Sequence, residues 1–289
     1  MTGMRATAVF LLVAVFVATS GCIGQSPTTS ANNDLSLSVI ADPSQIRSDE
    51  SFTLFVDVEN KAREDIRNIT IGVFDIGLFK PVNRPDCTRP FDVMYCAKYI
   101  DRLQQSQVES LECTFAVCQP DSMIQLVTTS NVALKTTFNK KIIGTFVVDM
   151  LALDEYSRLQ RIGDLTSKPA SLTFGDNQLQ ATLEFGKQPP FVAGDVVIAK
   201  LNIKNVGPGF IGTLDPANLK ITQSDLSLST FGCFFDKTFY STNKAFPPIT
   251  CVFNTPKQIQ TAATYSITFS INYGYELRAN VPVSIMKKQ

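Results

Sequence analysis

Two long stretches of this chain run through the same pattern, and that pattern fixes the class of fold. The first is "LSLSVIADPSQIRSDESFTLFVDVENKAREDIRNITIGVFDIGLF" (Leu35–Phe79), and the second is "LQATLEFGKQPPFVAGDVVIAKLNIKNVGPGFIGTLDPANLKIT" (Leu179–Thr222). Each holds a strand candidate, a bend containing proline, and a second strand in which apolar and polar residues alternate. In "SFTLFVDVEN" the residues Phe52, Leu54, Val56 and Val58 fall on one face. In "DVVIAKLNIKN" the apolar set reads Val196, Ile198, Leu201 and Ile203, with one slip in phase. Alternation of this kind belongs to a half-buried strand of an antiparallel sheet. Both strands end in an asparagine followed by a polar turn, "ENKARED" and "KNVGPGF". In the "GPG" turn, Gly207 and Gly209 are expected to supply positive φ.

The later parts of the two stretches correspond as well. "LECTF" (Leu111–Phe115) matches "ITCVF" (Ile249–Phe253). Each is followed by what reads as a long strand pair, "KKIIGTFVVDMLALDEYSRLQRIGDL" in one copy and "ATYSITFSINYGYELRANVPVSI" in the other. Each copy thus offers about seven short strands, the number an immunoglobulin-like β-sandwich needs. The expected fold is all-β, with two tandem immunoglobulin-like β-sandwich domains over 35–168 and 169–289. "TSKPA" (Thr166–Ala170) marks the boundary, and "SLTFG" just after it reads as an extra strand. The best helix signal is "SQVESLECT" near Ser106, enough for one short turn.

Residues ahead of the first strand have a different character. Met1–Arg5 carries one positive charge, and Ala6–Thr19 is the apolar run "ATAVFLLVAVFVAT". That length suits the core of a signal peptide and is short for a membrane-spanning helix. Ser20-Gly21-Cys22 follows, then the polar "GQSPTTSANN". This segment resembles a lipoprotein signal, and its "SGCIG" is similar to archaeal surface lipoproteins, although Thr19 stands where a branched aliphatic is commoner. The resemblance implies that 1–21 are removed and that Cys22 becomes the lipid-bearing N-terminus. Residues 22–34 then form a flexible tether, and the protein sits on the extracellular face of the cell membrane. A competing reading takes Arg5-Ala6 as a pilin-type processing site, with an assembly helix from Thr7; Gly21, Gly24 and Pro27 would stop such a helix early.

The stretches "FTLFVDVENKAREDIRNITIGVF" and "DVVIAKLNIKNVGPGFIG" resemble the CARDB-like, cell-adhesion-related sandwich domains of archaeal and bacterial surface proteins. The resemblance implies a non-enzymatic adhesion, interaction or spacer module, with an unidentified protein or glycan as its partner beside the membrane. An envelope binding component with a carboxylate-based site is the alternative from another class.

Composition agrees with a non-catalytic role. The chain has no histidine and no tryptophan. It therefore lacks a Ser-His-Asp triad and every zinc ligand except cysteine and carboxylate. Lysine plus arginine number 26, as do aspartate plus glutamate, so no basic surface for nucleic acid is expected. Neither a metal nor a cofactor is expected. Asp149, Asp154, Glu155 and Asp164 lie close in sequence, but they lack calcium-loop spacing and read as solvated strand edges and a turn. Tyr273 and Tyr275 sit two apart on one strand face; packing in or on the sheet is favoured over a sugar-binding platform. Asn68-Ile69-Thr70 is an N-glycosylation sequon.

Of seven cysteines, six remain once Cys22 is assigned to lipid, an even number in an exported chain. The internal repeat suggests their pairing. Cys251 in "ITCVF" corresponds to Cys113 in "LECTF", and Cys233 to Cys96. Cys233–Cys251 and Cys96–Cys113 are therefore expected, with Cys96 and Cys233 on loops. Cys87–Cys118 is then left as a nested bridge.

Overall fold

The computed structural model describes residues 28–31, 34–84, 87, 93–119, 123–124, 126–223 and 230–288. The first half contains β1 (Thr28–Ala31), β2 (Leu35–Asp42), β3 (Gln45–Arg47), β4 (Ser51–Asn60), β5 (Ile66–Asp75), β6 (Phe79–Pro81), β7 (Cys96–Leu103), β8 (Val108–Val117) and β9 (Val127–Leu151). Helix α1 (Leu153–Ile162) follows. The second half contains β10 (Ser171–Gly175), β11 (Leu179–Phe185), β12 (Phe191–Val192), β13 (Val196–Asn205), β14 (Thr213–Leu214), β15 (Leu219–Gln223), β16 (Thr230–Phe234), β17 (Phe239–Tyr240), β18 (Ile249–Asn254) and β19 (Ala262–Met286). The chain is all-β in architecture, as its alternation implies. Among the described residues no helix is long and apolar enough to cross a membrane.

Two five-stranded sheets, β1-β2-β4-β8-β6 and β10-β11-β13-β18-β16, cover one long common sheet of order β15-β19-β9-β5-β7. The common sheet is built on β9 and β19, each 25 residues long and antiparallel throughout. Val127 faces Met286 at one end, Asn139 faces Gly274 in the middle, and Leu151 faces Ala262 at the other end. Both strands were expected as pairs; each is a single strand instead. Their inward faces stay apolar over most of their length, with Lys140 of β9 as the charged exception. Val132, Leu134, Phe138, Ile142, Phe146, Val148 and Met150 of β9 are buried, all at even positions. Their counterparts on β19 are the odd positions from Tyr265 to Ile285, again all buried. A single register therefore carries the buried face through both lobes, whose apolar side chains form one continuous cluster.

This ladder corrects the expected domain division at 168/169. The first lobe takes residues 127–139 of β9 and 274–286 of β19, and β3 adds to the latter in parallel through Ile46 and Ile285. The second lobe takes the other half of each strand, and β12 adds to β9 in parallel through Phe191 and Met150. Each lobe thus completes its sheet with a strand segment that follows the other lobe's own sequence. The tether is corrected too. Within the expected 22–34, Thr28–Ala31 form an edge strand on β2.

The second repeat's phase is corrected at β13. Val197, Ala199, Leu201 and Ile203 are buried, while Val196 and Ile198 are 67% and 56% exposed. No slip occurs; the small Ala199 occupies the core position, and two large aliphatics face water. Val197→Ala is expected to cost about 2 kcal/mol, as a core truncation does, while Ile198→Ala stays within about 0.5 kcal/mol. Urea unfolding of the two variants checks this, and equal losses would contradict the register.

The helix expectation is also corrected, together with the strand expected over the residues of α1. The stretch near Ser106 leads into β8, and the one α-helix among the described residues is α1. Its local signals are conventional: Asp154 and Glu155 in the first turn, Arg161 in the last, and Gly163 closing it at φ 73°.

Candidate functional site

The two lobes meet at the midpoint of the ladder, and the polar chemistry of the molecule concentrates there. Lys140 of β9 lies opposite Tyr273 of β19. Its even position points it to the inward face of the sheet, where the two lobes meet. A lysine placed there must find partners. Its ammonium donates to the Asp34 carboxylate, to Gln178 Oε1 at 2.6 Å and to Asp176 Oδ2 at 2.8 Å. All three ammonium donors are thereby used.

These partners come from equivalent places in the two repeats. Asp34 precedes β2 and Gln178 precedes β11. The backbone carbonyl of Asp34 accepts from the N–H groups of Lys61 and Ala62, and that of Gln178 from Val206 and Gly207. The asparagines ending β4 and β13 then do the same work in each lobe. Asn60 accepts from the Ala62 N–H and donates to the carbonyls of Glu64 and Leu103. Asn205 accepts from the Gly207 N–H and donates to the carbonyl of Gly209. Both are buried, and each holds the polar turn that follows its strand.

Asp176 is the most heavily bonded carboxylate of the waist. Its Oδ1 accepts from the N–H groups of Gln178 and Leu179 at 2.9 and 2.8 Å, and its Oδ2 from the Tyr273 hydroxyl at 2.6 Å. Burial pushes its acidity towards the neutral form. Lys140, Tyr273 and the two backbone donors outweigh that and hold the carboxyl below the usual aspartate range. Burial, and then the Asp176 carboxylate, push the Tyr273 phenol far upward. Gln178 is fully buried, and its Nε2 has no hydrogen-bond partner among the described residues. The cause is local: Lys140 fixes the amide with its oxygen towards the ammonium, which leaves the nitrogen unpaired at about 1–3 kcal/mol.

Tyr275 adds a second tie. Its hydroxyl accepts from the Gly209 N–H at 2.6 Å, and its ring meets Phe138 edge-on. A Cβ at Gly207 would strike the Tyr275 hydroxyl, and one at Gly209 the Glu276 carbonyl. Glycine is required here for close approach. Positive φ, the expected reason, does not occur at either residue.

Two clefts open beside this network, of about 590 and 720 Å³. The first is lined by Arg67, Asn139, Lys141, Asn218 and Asn272 among others. Arg67 and Lys141 form no ion pair among the described residues. Glu64 and Asp65 line it as well, so the cleft offers amides and side chains of both charges to a polar group.

The sites expected from sequence fall elsewhere or nowhere in common. Cys22 lies outside the described residues. The three cysteine pairs are joined as Cys87–Cys118, Cys96–Cys113 and Cys233–Cys251. Two of them are not structural equivalents. Cys96 opens β7 and Cys113 lies in β8, so that bridge ties the covering sheet to the common sheet. Cys233 and Cys251 face each other on neighbouring strands of one sheet. Neither Cys96 nor Cys233 is on a loop. The shared "C-x-F" does bury its phenylalanine in both copies, at Phe115 and Phe253.

Asn68 is exposed at φ 54°, in the irregular register between Arg67 and Thr70 of β5, and accepts from the Tyr99 hydroxyl at 2.8 Å. Tyr273 and Tyr275 are buried in the waist rather than presented as a platform. The four acidic residues do not converge. Asp149 pairs with Lys168 and accepts from Thr264, which hold its carboxyl below the usual aspartate range, and Glu155 pairs with Arg158. Among the described residues no group of three or more cysteines and carboxylates is placed to hold a metal. What the sequence reading missed is Lys140, Asp34, Asp176 and Gln178. The signal was available in the terminal asparagines of β4 and β13, which mark where each lobe's waist-facing turn begins.

No protein-family model matches the chain, and no curated protein matches it. Among solved structures, a protein of unknown function from Porphyromonas gingivalis W83 is similar at 10% identity, over 76% of this chain and 83% of that one, with a TM-score of 0.22. Red sea bream transglutaminase is similar at 11% identity over 90% of this chain and 32% of its own, with a TM-score of 0.22. The type II cohesin dyad of the adaptor ScaA scaffoldin of Acetivibrio cellulolyticus is similar at 9% identity over 81% and 84%, again at 0.22. At TM-scores this low, none of these likenesses bears on function.

Proposed function

We propose that this chain is a non-enzymatic, lipid-anchored surface protein whose two lobes form one stiff projecting module for adhesion, interaction or spacing. The observation that carries the reading is the shared ladder. A flexible pair of domains needs few contacts across its boundary; here two 25-residue strands cross it in unbroken register. At about 3.3 Å per residue the ladder is about 80 Å long. Such a rod holds its far end at a set distance from whatever anchors the near end. The lipoprotein-like "SGC" supplies the anchor, and three disulfides suit an oxidising exterior. The waist cleft, with Arg67 and Lys141, is the surface offered to a protein or glycan partner. Asn68 is open to glycosylation in the same lobe.

Cys22→Ser tests the anchor. The variant is expected in the medium, or held as an unprocessed precursor, whereas the wild type stays with membranes until detergent is added. Mass spectrometry of the mature wild-type N-terminus gives the complementary result. A lipid-bearing Cys22 supports the anchor, and a chain beginning near Thr7 would replace it with the pilin reading.

A further inference from the structure

The direction in which the chain enters the first lobe determines which end of the molecule faces the bilayer. β1 runs antiparallel to β2, with Thr28 opposite Val39 and Ala31 opposite Ser36. Its N-terminal end therefore points away from the waist, towards the outer end of the first lobe. That end is formed by the segment from Asp42 to Ser51, by Met123, Ile124, Leu126 and Val127, and by Met286–Lys288. These segments are joined through the Ser48 N–H to Met286, the Ser284 N–H to Ser44 and the Lys287 N–H to Leu126. Cys22 stands six residues before Thr28, a reach of at most about 20 Å for extended chain. Val39 is itself only three residues from Asp42 at the lobe's end. An anchor on Cys22 thus keeps this end within a short distance of the membrane.

The same end carries apolar side chains that the fold does not use. Leu126 is 86% exposed, Met123 68% and Val127 52%. Around them the charges cancel: Arg47, Lys287 and Lys288 against Asp42, Asp49 and Glu50, with Lys288 paired to Asp49 at 2.7 Å. A neutral rim around an apolar tip suits the headgroup region of a bilayer and does not depend on anionic lipid. We propose that Met123, Leu126 and Val127 dock the outer end of the first lobe into the membrane interface, so that the rod stands off the surface with α1 at its far end. This inference rests on the anchor reading and adds to it a second point of attachment, which fixes orientation. One lipid alone leaves the module free to pivot; a lipid with a docked tip does not.

The chain contains no tryptophan, so a single introduced indole reports its own surroundings. Full-length Leu126→Trp and Ile162→Trp, purified from membranes with the mass of the N-terminus recorded, would be reconstituted into phosphatidylcholine vesicles containing brominated lipid. Both positions are exposed, and unchanged melting confirms that the substitutions leave the fold intact. The expected result is a blue shift and loss of emission for Leu126→Trp, with neither for Ile162→Trp at the opposite end. Two unquenched indoles on a chain that carries lipid at Cys22 would overturn the docked orientation and leave the anchor standing. A mature chain without lipid would overturn the anchor and the orientation with it. Quenching at Ile162→Trp alone would reverse the molecule on the membrane and so refute the proposal.

Discussion

Expressed alone, residues 169–289 will not melt as a monomeric, cooperative unit. The sequence divides there, and the fragment keeps the whole covering sheet β10-β11-β13-β18-β16 with its disulfide. It loses residues 140–151 of β9, which pair with 262–273 along their full length. Ile142, Phe146, Val148 and Met150 go with them, all buried and all packed into the second lobe. Burial of such a side chain stabilises by about 1.5–3 kcal/mol. Four of them therefore represent roughly 6–12 kcal/mol, as much as the whole stability of an ordinary domain. Residues 274–286 meanwhile keep their apolar face and lose both strands that pair with them, β9 and β3, which leaves a long open strand edge prone to self-association. Light scattering with calorimetry is the check: aggregates or swapped oligomers without a sharp transition are expected. Mixing with residues 28–168 should restore a single cooperative unit, because each fragment then supplies the half-strand the other lacks. A sharply melting monomer of 169–289 would show that the lobes do not depend on exchanged strands.

The reasons the sequence reading stopped short are physical. Phe52, Leu54, Val56 and Val58 were legible because a half-buried strand writes its burial as period-two alternation. β13 misled because the alternation there passes through Ala199, whose side chain is small, while Ile198 beside it is large and exposed. The ladder was hidden at its midpoint. At the midpoint the inward face of β9 carries Lys140 between Phe138 and Ile142, while β19 keeps Tyr273 and Tyr275 buried there and Gly274 falls on the other face. A polar "NKK" and a glycine in "YGY" read as turns; here both strands run straight through them. The cysteine pairs were legible through the repeat. The geometry of the bridges was not, because pairing partners can be inherited along a repeat while the strands that carry them belong to different sheets. The waist network left the weakest trace, since Asp34, Asp176 and Gln178 lie in turns where polar residues are ordinary and only Lys140 breaks the pattern of its strand.

Lys140→Met will cost about 3 kcal/mol at neutral pH, and the cost will shrink in acid. The ammonium is the common donor to Asp34, Asp176 and Gln178, whose contacts span both lobes. Side-chain exposure is 12% for Lys140, 13% for Asp34 and 22% for Asp176, so solvent screens the group only in part. Removing one partner of such a group leaves uncompensated charge and costs about 3–5 kcal/mol when the group is fully enclosed; partial exposure places this case at the lower limit. The pH dependence follows from Asp176. Its carboxyl in the folded protein lies below the usual range, so its contribution to wild-type stability is complete above the unfolded value of roughly 4. That contribution is lost as pH falls through the folded value. In the variant, burial acts on Asp176 without the lysine, so its carboxylate is less well compensated until it is protonated. The difference between wild type and Lys140→Met should therefore be largest near pH 7 and close progressively below about pH 4. Denaturant unfolding of both proteins across that range is the measurement, and Asp176→Asn should show a flatter acid limb than wild type. A difference that stays constant from neutral to acid pH would mean that Lys140 supports the waist by packing rather than by its charge.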